Sequence, residues 1–264
     1  MSLHHFFLEE QVVGAQDSQV FPLRLSDEDA RHARVLRLAR GEHISVVDAA
    51  SDYFECEIVD FDRDIPLVRI ARRLEAPEQG PQVVLVQGIA KGDKMDEVIR
   101  HATELGVSGF VPMKSSRCVV KLDEKKAASR RARWSSIAKS AAVQCGRLDI
   151  PQVGEAMTVS QVVSAFKDAT AVLVCWEECP LTQTISQALD AALAQCVSPK
   201  QDARVCGVVG PEGGLSAEEV DTLVRGCARA YPVTLGSNIL RAETAGVVAP
   251  ALVLYELGSL GGRA

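Results

Sequence analysis

The sequence lacks the features that mark membrane and secreted proteins. Its 264 residues contain no run of eighteen apolar residues, the length a membrane-spanning helix requires. The N-terminus, MSLHHFFLEE, has neither a basic segment nor a long apolar core, so no signal peptide is expected. We therefore expect a cytoplasmic protein without a membrane partner. Its 47% hydrophobic content can build a sizeable core.

Common nucleotide, metal and acid-base motifs are also missing. No segment matches G-x-G-x-x-G or G-x-x-x-x-G-K-[ST], which disfavours a Rossmann unit or a P-loop. The one close cysteine pair, Cys175 and Cys179, has no second pair at zinc-finger spacing, so no metal is expected and the eight thiols are predicted to be reduced and buried. The histidines lie outside the loops considered below, although sequence distance alone leaves His101 open as an acid or base.

Positive charge is scarce overall but concentrated in one stretch. The net charge is −6, yet residues 117–147 carry nine basic against two acidic side chains. Clustered basic charge favours a phosphate-bearing partner, whereas the plainer interpretation is a solvated helix face. The arginines of this stretch proposed to contact RNA are Arg117, Arg130, Arg131, Arg133 and Arg147.

The first 75 residues are rich in short β-type runs, which predicts a small β-barrel. One helix interrupts them: Ser26 is expected to cap it, and Arg31, Arg34 and Arg37 are expected to share one helical face and to bind RNA. The segment from Glu75 to Gln82 has the two prolines and the glycine of a linker. We therefore predict two domains, residues 1–75 and 80–264.

Strand-like and helix-like segments alternate over the remaining residues. Asp93 is expected to cap a helix that ends at Gly106. The predicted strands are 83–89, 107–113, 171–175, 204–210 and 231–236; the predicted helices are 93–105, 123–145, 159–167, 182–196, 216–228 and a last helix to about 257. Such alternation predicts a parallel sheet covered on both faces, and therefore an α/β fold.

Three loops follow predicted strands and are candidates for a binding site, because ligands in open parallel sheets lie at the carboxyl ends of the strands. They are CWEECP after residue 174, GPEGG after residue 209 and LGSNILRAETA from residue 235. Glycine allows a ligand to approach the backbone closely, although a tight turn and the capping box of Ser216 and Glu219 would also explain GPEGGLSAEE. In the third loop Ser237 and Asn238 can cap the last helix, and Arg241 and Glu243 at its opening are expected to face a pocket or an interface.

These motifs resemble a known family. In this order, KGDKMDEVIRHATELGV, SSRCVVKL, QCGRLDIP, GPEGGLSAEEV and LGSNILRAETA are similar to the RsmE-type 16S rRNA methyltransferases of the SPOUT (α/β-knot) superfamily, and HHFFLEE and HARVLRLARGE are similar to their N-terminal PUA-like barrel. The resemblance implies a trefoil knot that forms an S-adenosylmethionine pocket, a homodimer, and methylation of N3 of one uridine in the decoding region of 16S rRNA in the small ribosomal subunit. CWEECP departs from the family pattern and leaves the role of Trp176 open.

The resemblance also implies which residues hold the cofactor. The expected cofactor residues are Trp176, Val209, Gly210, Pro211, Glu212, Gly213, Gly214, Leu235, Gly236, Ile239 and Leu240. Arg241 is the expected catalytic residue, because a guanidinium suits the negative charge that develops on the uracil ring, with Glu243 as its orienting partner. Two alternatives stay open: an RNA-binding assembly factor without enzymatic activity, and a transferase acting on a small molecule.

Overall fold

The computed structural model describes residues 3–12, 19–75, 80–196 and 199–261. The predicted linker falls partly outside these ranges, at residues 76–79. The described residues divide into two compact units: one contains those up to 75 together with 142–149, and the other contains 80–141 and those from 150 onward. The roles given to the two predicted domains stay predictions.

The first unit contains, within the described ranges, a mixed sheet of five strands and one helix. The elements are β1 (His4–Phe7), β2 (Val20–Pro22), α1 (Asp27–Leu36), β3 (His43–Val47), β4 (Tyr53–Asp62) and β5 (Ile65–Leu74). The strand order is β1-β3-β4-β5-β2; β1 runs parallel to β3, and the other neighbours are antiparallel. Phe6, Ile44, Phe54 and Ile58 are part of its core. As described, the sheet is open, so closure into a barrel stays a prediction.

Helix α1 begins as the sequence predicts, but it ends before the last of its three arginines. The side-chain oxygen of Ser26 accepts a hydrogen bond from the backbone N–H of Asp29, which confirms the cap. Arg31 and Arg34 are exposed on the helix. The expectation that Arg37 shares their helical face is wrong, because this residue is the C-cap and its φ of 53° leaves the helical conformation.

The second unit confirms the predicted α/β fold with a parallel sheet. Its strands are β6 (Gln82–Gly88), β7 (Gly109–Lys114), β8 (Gln152–Val153), β9 (Met157–Thr158), β10 (Ala171–Cys175), β11 (Arg204–Val209) and β12 (Ala230–Val233). Its helices are α2 (Lys94–Leu105), α3 (Glu124–Cys145), α4 (Val159–Phe166), α5 (Ile185–Leu193), α6 (Ala217–Gly226) and α7 (Ala242–Glu256). The last turn of α3 is counted with the first unit.

The parallel sheet buries both of its faces. The strand order is β12-β10-β11-β6-β7-β8, with β9 also beside β7, and every pairing is parallel. Along β10, Leu173 belongs to the hydrophobic cluster that includes residues of α2, α5 and α7, whereas Val172 and Val174 belong to the cluster that includes residues of α4 and α6. This alternation explains the almost continuously apolar strands of the sequence.

Some predicted element ends and caps are wrong. Asp93 is the N-cap of α2 but makes no side-chain capping bond. Helix α5 begins after Thr184, whose side chain and that of Gln187 form a capping box. Strand β12 ends at Val233, because Thr234 and Gly236 form a turn in which the Thr234 side-chain oxygen accepts from the Gly236 N–H at 3.1 Å.

Membrane-spanning helices, metal-binding groups and cysteines can each be compared with the sequence expectations. In the described part of the chain, no helix combines the length and the apolar character needed to cross a bilayer. The same residues contain no group of three or more His, Cys, Asp or Glu side chains that could hold a metal. All eight cysteines are free, and five are buried as predicted, whereas Cys145 is exposed and Cys118 and Cys196 are half-buried.

Candidate functional site

The carboxyl ends of β10, β11 and β12, which are neighbours in the sheet, meet at one cavity of about 640 Å³. Three segments line it: the loop after β10, the loop after β11, and residues 234–242, which lead from β12 into α7. The structure thus brings together the three loops that the sequence singled out. This is the edge at which open parallel sheets bind ligands.

The loop after β11, residues 210–214 and called the glycine loop below, folds back tightly on itself. A Cβ atom on Gly210 would lie 2.7 Å from the carbonyl carbon of Gly214. The N–H of Gly214 donates to the carbonyl of Pro211 at 2.9 Å, and the φ of Gly214 is +68°. Glycine is required at both positions, because a side chain would meet backbone atoms at the first and be strained at the second. The capping box of Ser216 and Glu219 then begins α6, as predicted.

Neighbouring strands and loops fix the position of the glycine loop. Gln87 at the end of β6 is buried, and its amide donates to the Gly210 carbonyl at 3.1 Å. Arg117, in the loop after β7, donates to the Gly213 carbonyl at 2.9 Å. The backbone N–H of Lys91 donates to the carboxylate of Glu212 at 2.9 Å. The loop is therefore held in place before any ligand binds.

The segment after β12 forms another wall of the cavity. Residues 234–240 are half-buried or exposed, and the expected capping by Ser237 or Asn238 is wrong: the N-cap of α7 is Arg241, which makes no side-chain capping bond. Ala242 and Ala245 from the first turns of α7 also line the cavity. Their small side chains leave room at this end of the helix.

Lys94, which the sequence analysis did not single out, ties two of these segments together. Its ammonium nitrogen lies 3.2 Å from a carboxylate oxygen of Glu212 and 3.2 Å from one of Glu243. The nearby carboxylates of Glu243 and then of Glu212 raise the pKa of Lys94. The sequence shows the KGDKM motif, but only the fold shows which acidic side chains its second lysine contacts.

The two acids that Lys94 contacts both favour their ionised forms. A hydrogen bond from its own backbone N–H and the nearby ammonium of Lys94 lower the pKa of Glu243. Burial raises the pKa of Glu212, but hydrogen bonds from the Lys91 and Glu212 backbone N–H groups and from Lys94 outweigh it, so the pKa lies below its ordinary value. Both carboxylates are therefore negative at neutral pH.

Arg241 lines the cavity, but its predicted partner is occupied elsewhere. Glu243 does not belong to the described cavity lining and forms its ion pair with Lys94. Arg241 influences Glu243 only as a nearby charge, and Arg241 forms no ion pair or side-chain hydrogen bond with another described residue. The assignment of Glu243 as the orienting partner of Arg241 is therefore corrected: Glu243 pairs with Lys94, because the first turn of α7 directs it to the start of α2.

The cavity lining contains every expected cofactor residue except Gly213. Gly213 lies in the glycine loop and is fixed through its carbonyl by Arg117. Lining residues that the sequence analysis did not assign to the cofactor are Cys175, Glu177, Cys179, Leu181, Thr234, Ser237, Asn238, Ala242 and Ala245. Most of these residues belong to the three loops, so their position after a strand was the available signal.

Trp176, whose role the sequence left open, lines the cavity and packs against the hydrophobic cluster that includes residues of α4 and α6. Its backbone N–H donates to the Val233 carbonyl at 3.1 Å and so joins the ends of β10 and β12. Its indole N–H is buried and has no hydrogen-bond partner among the described residues. Trp176 thus forms part of the cavity wall.

The arginines expected to bind RNA differ in how free they are. Arg31 and Arg34 are exposed, and a guanidinium nitrogen of Arg34 lies 3.9 Å from a carboxylate oxygen of Asp64. The other group lies between 117 and 147: Arg117 holds the glycine loop, Arg131 donates to the Val153 carbonyl, Arg133 pairs with buried Asp96, and Arg147 pairs with Asp149. The side chain of Arg130 forms no ion pair or hydrogen bond with another described residue.

Known proteins with the same sequence pattern and fold can now be compared. The RNA methyltransferase domain family matches residues 77–254. The ribosomal RNA small subunit methyltransferase E of Bacillus subtilis is 32% identical over 98% of this chain and 99% of its own. Its namesake in Mycobacterium bovis is 32% identical over 84% of this chain and 82% of its own.

Solved structures agree with these sequence matches. The ribosomal RNA small subunit methyltransferase E of Neisseria gonorrhoeae, solved with bound S-adenosylmethionine, superimposes with a TM-score of 0.76 at 26% identity, covering 96% of this chain and 97% of its own. The matches in sequence and in fold span nearly the whole length of this chain. This chain therefore belongs to the ribosomal RNA small subunit methyltransferase E family.

Proposed function

We propose that this protein transfers a methyl group from S-adenosylmethionine to N3 of a uridine in the decoding region of 16S rRNA. The observation that carries the proposal is the cavity at the sheet edge, between the glycine loop and the residues that lead into α7. The relatives named for rRNA methylation span nearly the whole chain, and one solved relative holds S-adenosylmethionine. These similarities favour an enzyme over an RNA-binding assembly factor.

The cavity suits a cofactor of this size and chemistry. Its volume of about 640 Å³ lies within the range of roughly 300–1,000 Å³ that small-molecule sites have. Gly210 and Gly214 of the glycine loop present main-chain groups to the cavity without side chains of their own, and Leu235, Leu240 and Ala245 add apolar surface. When bound, S-adenosylmethionine supplies its methyl group as an electrophile, while the protein supplies position and charge.

Arg241 is the residue proposed to act on the base. Uridine N3 carries a proton and lies on the pairing edge, so the base must be unpaired before it can react. Loss of that proton leaves negative charge on the ring, which a permanently charged guanidinium stabilises at the O2 or O4 oxygen. Because Glu243 is held by Lys94, Arg241 keeps its donors for the base.

RNA binding is proposed to use basic residues of both units. The first unit contributes Arg31 and Arg34 from α1, with Arg37 directly after it, in what the family resemblance suggests is a PUA-like barrel. The side chains of Lys121, Lys125 and Arg130 in the second unit form no ion pair or hydrogen bond with any other described residue, which makes them suitable phosphate contacts. Phosphate contacts at several such positions add to the affinity for RNA.

The remaining proposals concern assembly. The chain is proposed to form a cytoplasmic homodimer and to thread its C-terminal loops into a trefoil knot. Exposed apolar side chains support the dimer: Ile239 is 85% exposed, and Leu181, Leu252 and Tyr255 are also exposed. A monomer gains nothing from exposing such a group of side chains at a cavity and its adjoining helix, whereas a second copy would cover them.

Calorimetry with S-adenosylmethionine tests the enzymatic proposal directly. We expect one cofactor site per chain with micromolar affinity or tighter. No heat of binding at high micromolar cofactor would leave the RNA-binding assembly factor as the better interpretation.

A further inference from the structure

Lys94 connects two cavity segments that lie far apart in the sequence. It occupies the first position of α2, and its ammonium is equally close, at 3.2 Å, to Glu212 of the glycine loop and to Glu243 in the first turn of α7. The side chains of all three residues are less than a third exposed. The contacts are therefore partly protected from water and salt.

Removing this ammonium would leave two negative charges close together. Because both carboxylate oxygens lie within 3.2 Å of one nitrogen, they are at most twice that distance apart. Both acids are ionised at neutral pH, so without Lys94 they would repel each other across the junction of the glycine loop and α7. The backbone N–H of Lys91 holds only Glu212 and cannot replace the bridge.

The geometry points to Lys94 as a positioning residue that sets the glycine loop and the start of α7 in one arrangement. The glycine loop forms the proposed cofactor wall, and Arg241 directly precedes α7. One ammonium therefore fixes the spacing between bound cofactor and the guanidinium that meets the base. Lys94 acts through Glu212 and Glu243 and is not itself part of the described cavity lining. The inference rests on the proposed function.

The test compares two variants that each remove one positive charge from α2. Lys94→Met keeps most of the aliphatic stem but removes the ammonium. Arg100→Met is the matched control, since the Arg100 side chain is exposed and makes no ion pair or hydrogen bond with any described residue. Calorimetry measures the Kd for S-adenosylmethionine, and methyl transfer to small-subunit RNA gives kcat.

We expect Lys94→Met to weaken cofactor binding about tenfold through repulsion between the acids. We expect kcat to fall as well, by roughly 10- to 100-fold, because Arg241 is displaced from the reacting base. Arg100→Met should leave the cofactor Kd and kcat within about twofold of the parent values. Lys94→Arg, which keeps the charge, should restore most of both.

A fourth variant separates the effect of charge from general damage to the fold. Adding Glu243→Gln to Lys94→Met removes the repulsion and leaves Glu212, an expected cofactor residue, unchanged, so this double variant should bind the cofactor more tightly than Lys94→Met alone. If it does not, or if Lys94→Met behaves like Arg100→Met, the inference is wrong while the proposed function stands. If the parent protein binds no S-adenosylmethionine, the proposed function fails together with the inference.

Discussion

At the scale of single residues, Arg241 is the side chain on which the proposed chemistry depends most. It lines the cavity, and no described acid neutralises it through an ion pair. A guanidinium does not lose its proton at physiological pH, so the role proposed for Arg241 is to stabilise charge and not to accept the N3 proton. A hydrogen bond from its own backbone N–H and the nearby Lys94 ammonium lower the pKa of Glu243, which makes this carboxylate a weaker proton acceptor than an ordinary one.

Arg241→Ala is expected to lower turnover by on the order of 10²-fold or more, as loss of one preorganised donor does elsewhere. The cofactor Kd and the oligomeric mass should stay the same, which steady-state kinetics, calorimetry and light scattering would measure. Arg100→Ala serves as the control for loss of an exposed arginine. Near-parent turnover, or dissociation into monomers, would mean that Arg241 is a structural brace.

The burial of His5 predicts how the stability of the first unit depends on pH. It is buried in β1, its Nδ1 lies 3.1 Å from the Ser45 hydroxyl oxygen, and burial lowers its pKa from 6.5 to about 4. Between these values the unfolded chain binds the proton and the folded chain does not, so the free energy of unfolding falls as the pH drops from 6.5 towards 4. The loss contributed by His5 should reach about 3 kcal/mol once the pH is below about 4.

The measurement is urea unfolding at several pH values between about 7 and about 4. His5→Leu should be less sensitive to acid than the parent, because it has no group to protonate at this position. His4→Gln, which changes the exposed neighbouring residue, should follow the parent. A His5→Leu curve that runs parallel to the parent curve would contradict the assignment.

Some residues of the candidate site could be predicted from the sequence and others could not, for a physical reason. Arg241 and the glycines were identifiable because they follow strands in loops of unusual composition. Lys94 was not, because a lysine at the start of an amphipathic helix is ordinarily exposed, and both of its partners are distant in the chain. Charge pairs that exist only after folding leave no local pattern in the sequence.

At the scale of elements, the glycine loop is the part of the site with the least freedom to vary. A Cβ on Gly210 would meet only backbone atoms: the carbonyl carbon of Gly214 at 2.7 Å and the amide nitrogen of Leu215 at 3.0 Å. Neither atom can move unless the loop opens. Gly207, three residues earlier in β11, has no atom within 4 Å of the equivalent position.

These two glycines make a matched pair of substitutions. Gly210→Ala should weaken S-adenosylmethionine binding by on the order of tenfold or more, because the loop must open to admit the methyl group. Gly207→Ala should have little effect on that affinity. Calorimetry measures the affinity of both variants for S-adenosylmethionine, and thermal unfolding checks that both are folded. Equal affinities would contradict the prediction and show that the loop can open without weakening cofactor binding.

Most elements could be predicted from periodicity, and the misses have identifiable causes. The apolar runs of β6, β10 and β11 and the capping box of α6 are local signals, and the structure confirms them. Strand β8 and strand β9 have two residues each, too few to give a pattern. The sequence predicts a strand up to residue 236, whereas β12 ends at Val233. The turn at Thr234 and Gly236 leaves no mark in the sequence, because the β-type residues continue through it.

At the scale of the whole molecule, the basic stretch is less available to RNA than its composition suggests. Arg133 pairs with Asp96, a buried carboxylate that also accepts from the indole N–H of Trp134 at 3.1 Å. Charge reversal at Arg133 would remove the cationic partner of that buried carboxylate and place a second negative charge beside it, so the variant should be less stable than the parent. Such a variant would test stability and not RNA binding.

The better RNA test reverses only side chains without internal partners. Replacing Lys121, Lys125 and Arg130 by Glu should lower affinity for small-subunit rRNA. The log–log salt slope of binding should fall by roughly 0.7–0.9 for each phosphate that these side chains no longer neutralise. Arg133→Glu, in contrast, should lower the thermal midpoint. An unchanged salt slope in the triple variant would mean that these residues form only a solvated face.

The α/β fold could be predicted from the sequence pattern, whereas barrel closure, knotting and dimerisation could not. Strand and helix alternation predicted the parallel sheet, because each strand buries both faces and each helix covers one of them. Barrel closure, knotting and dimerisation depend on how distant segments pass one another, and periodicity carries no information about that. These three features therefore stay proposals.

The most direct test of the central claim is a map of methylated uridines in 16S rRNA from cells that have or lack this protein. We predict an N3-methyluridine in the decoding region that is absent without the protein, returns with the parent gene, and fails to return with Arg241→Ala. The same methylation pattern in both cells, or a lost modification at any other kind of atom, would contradict that claim.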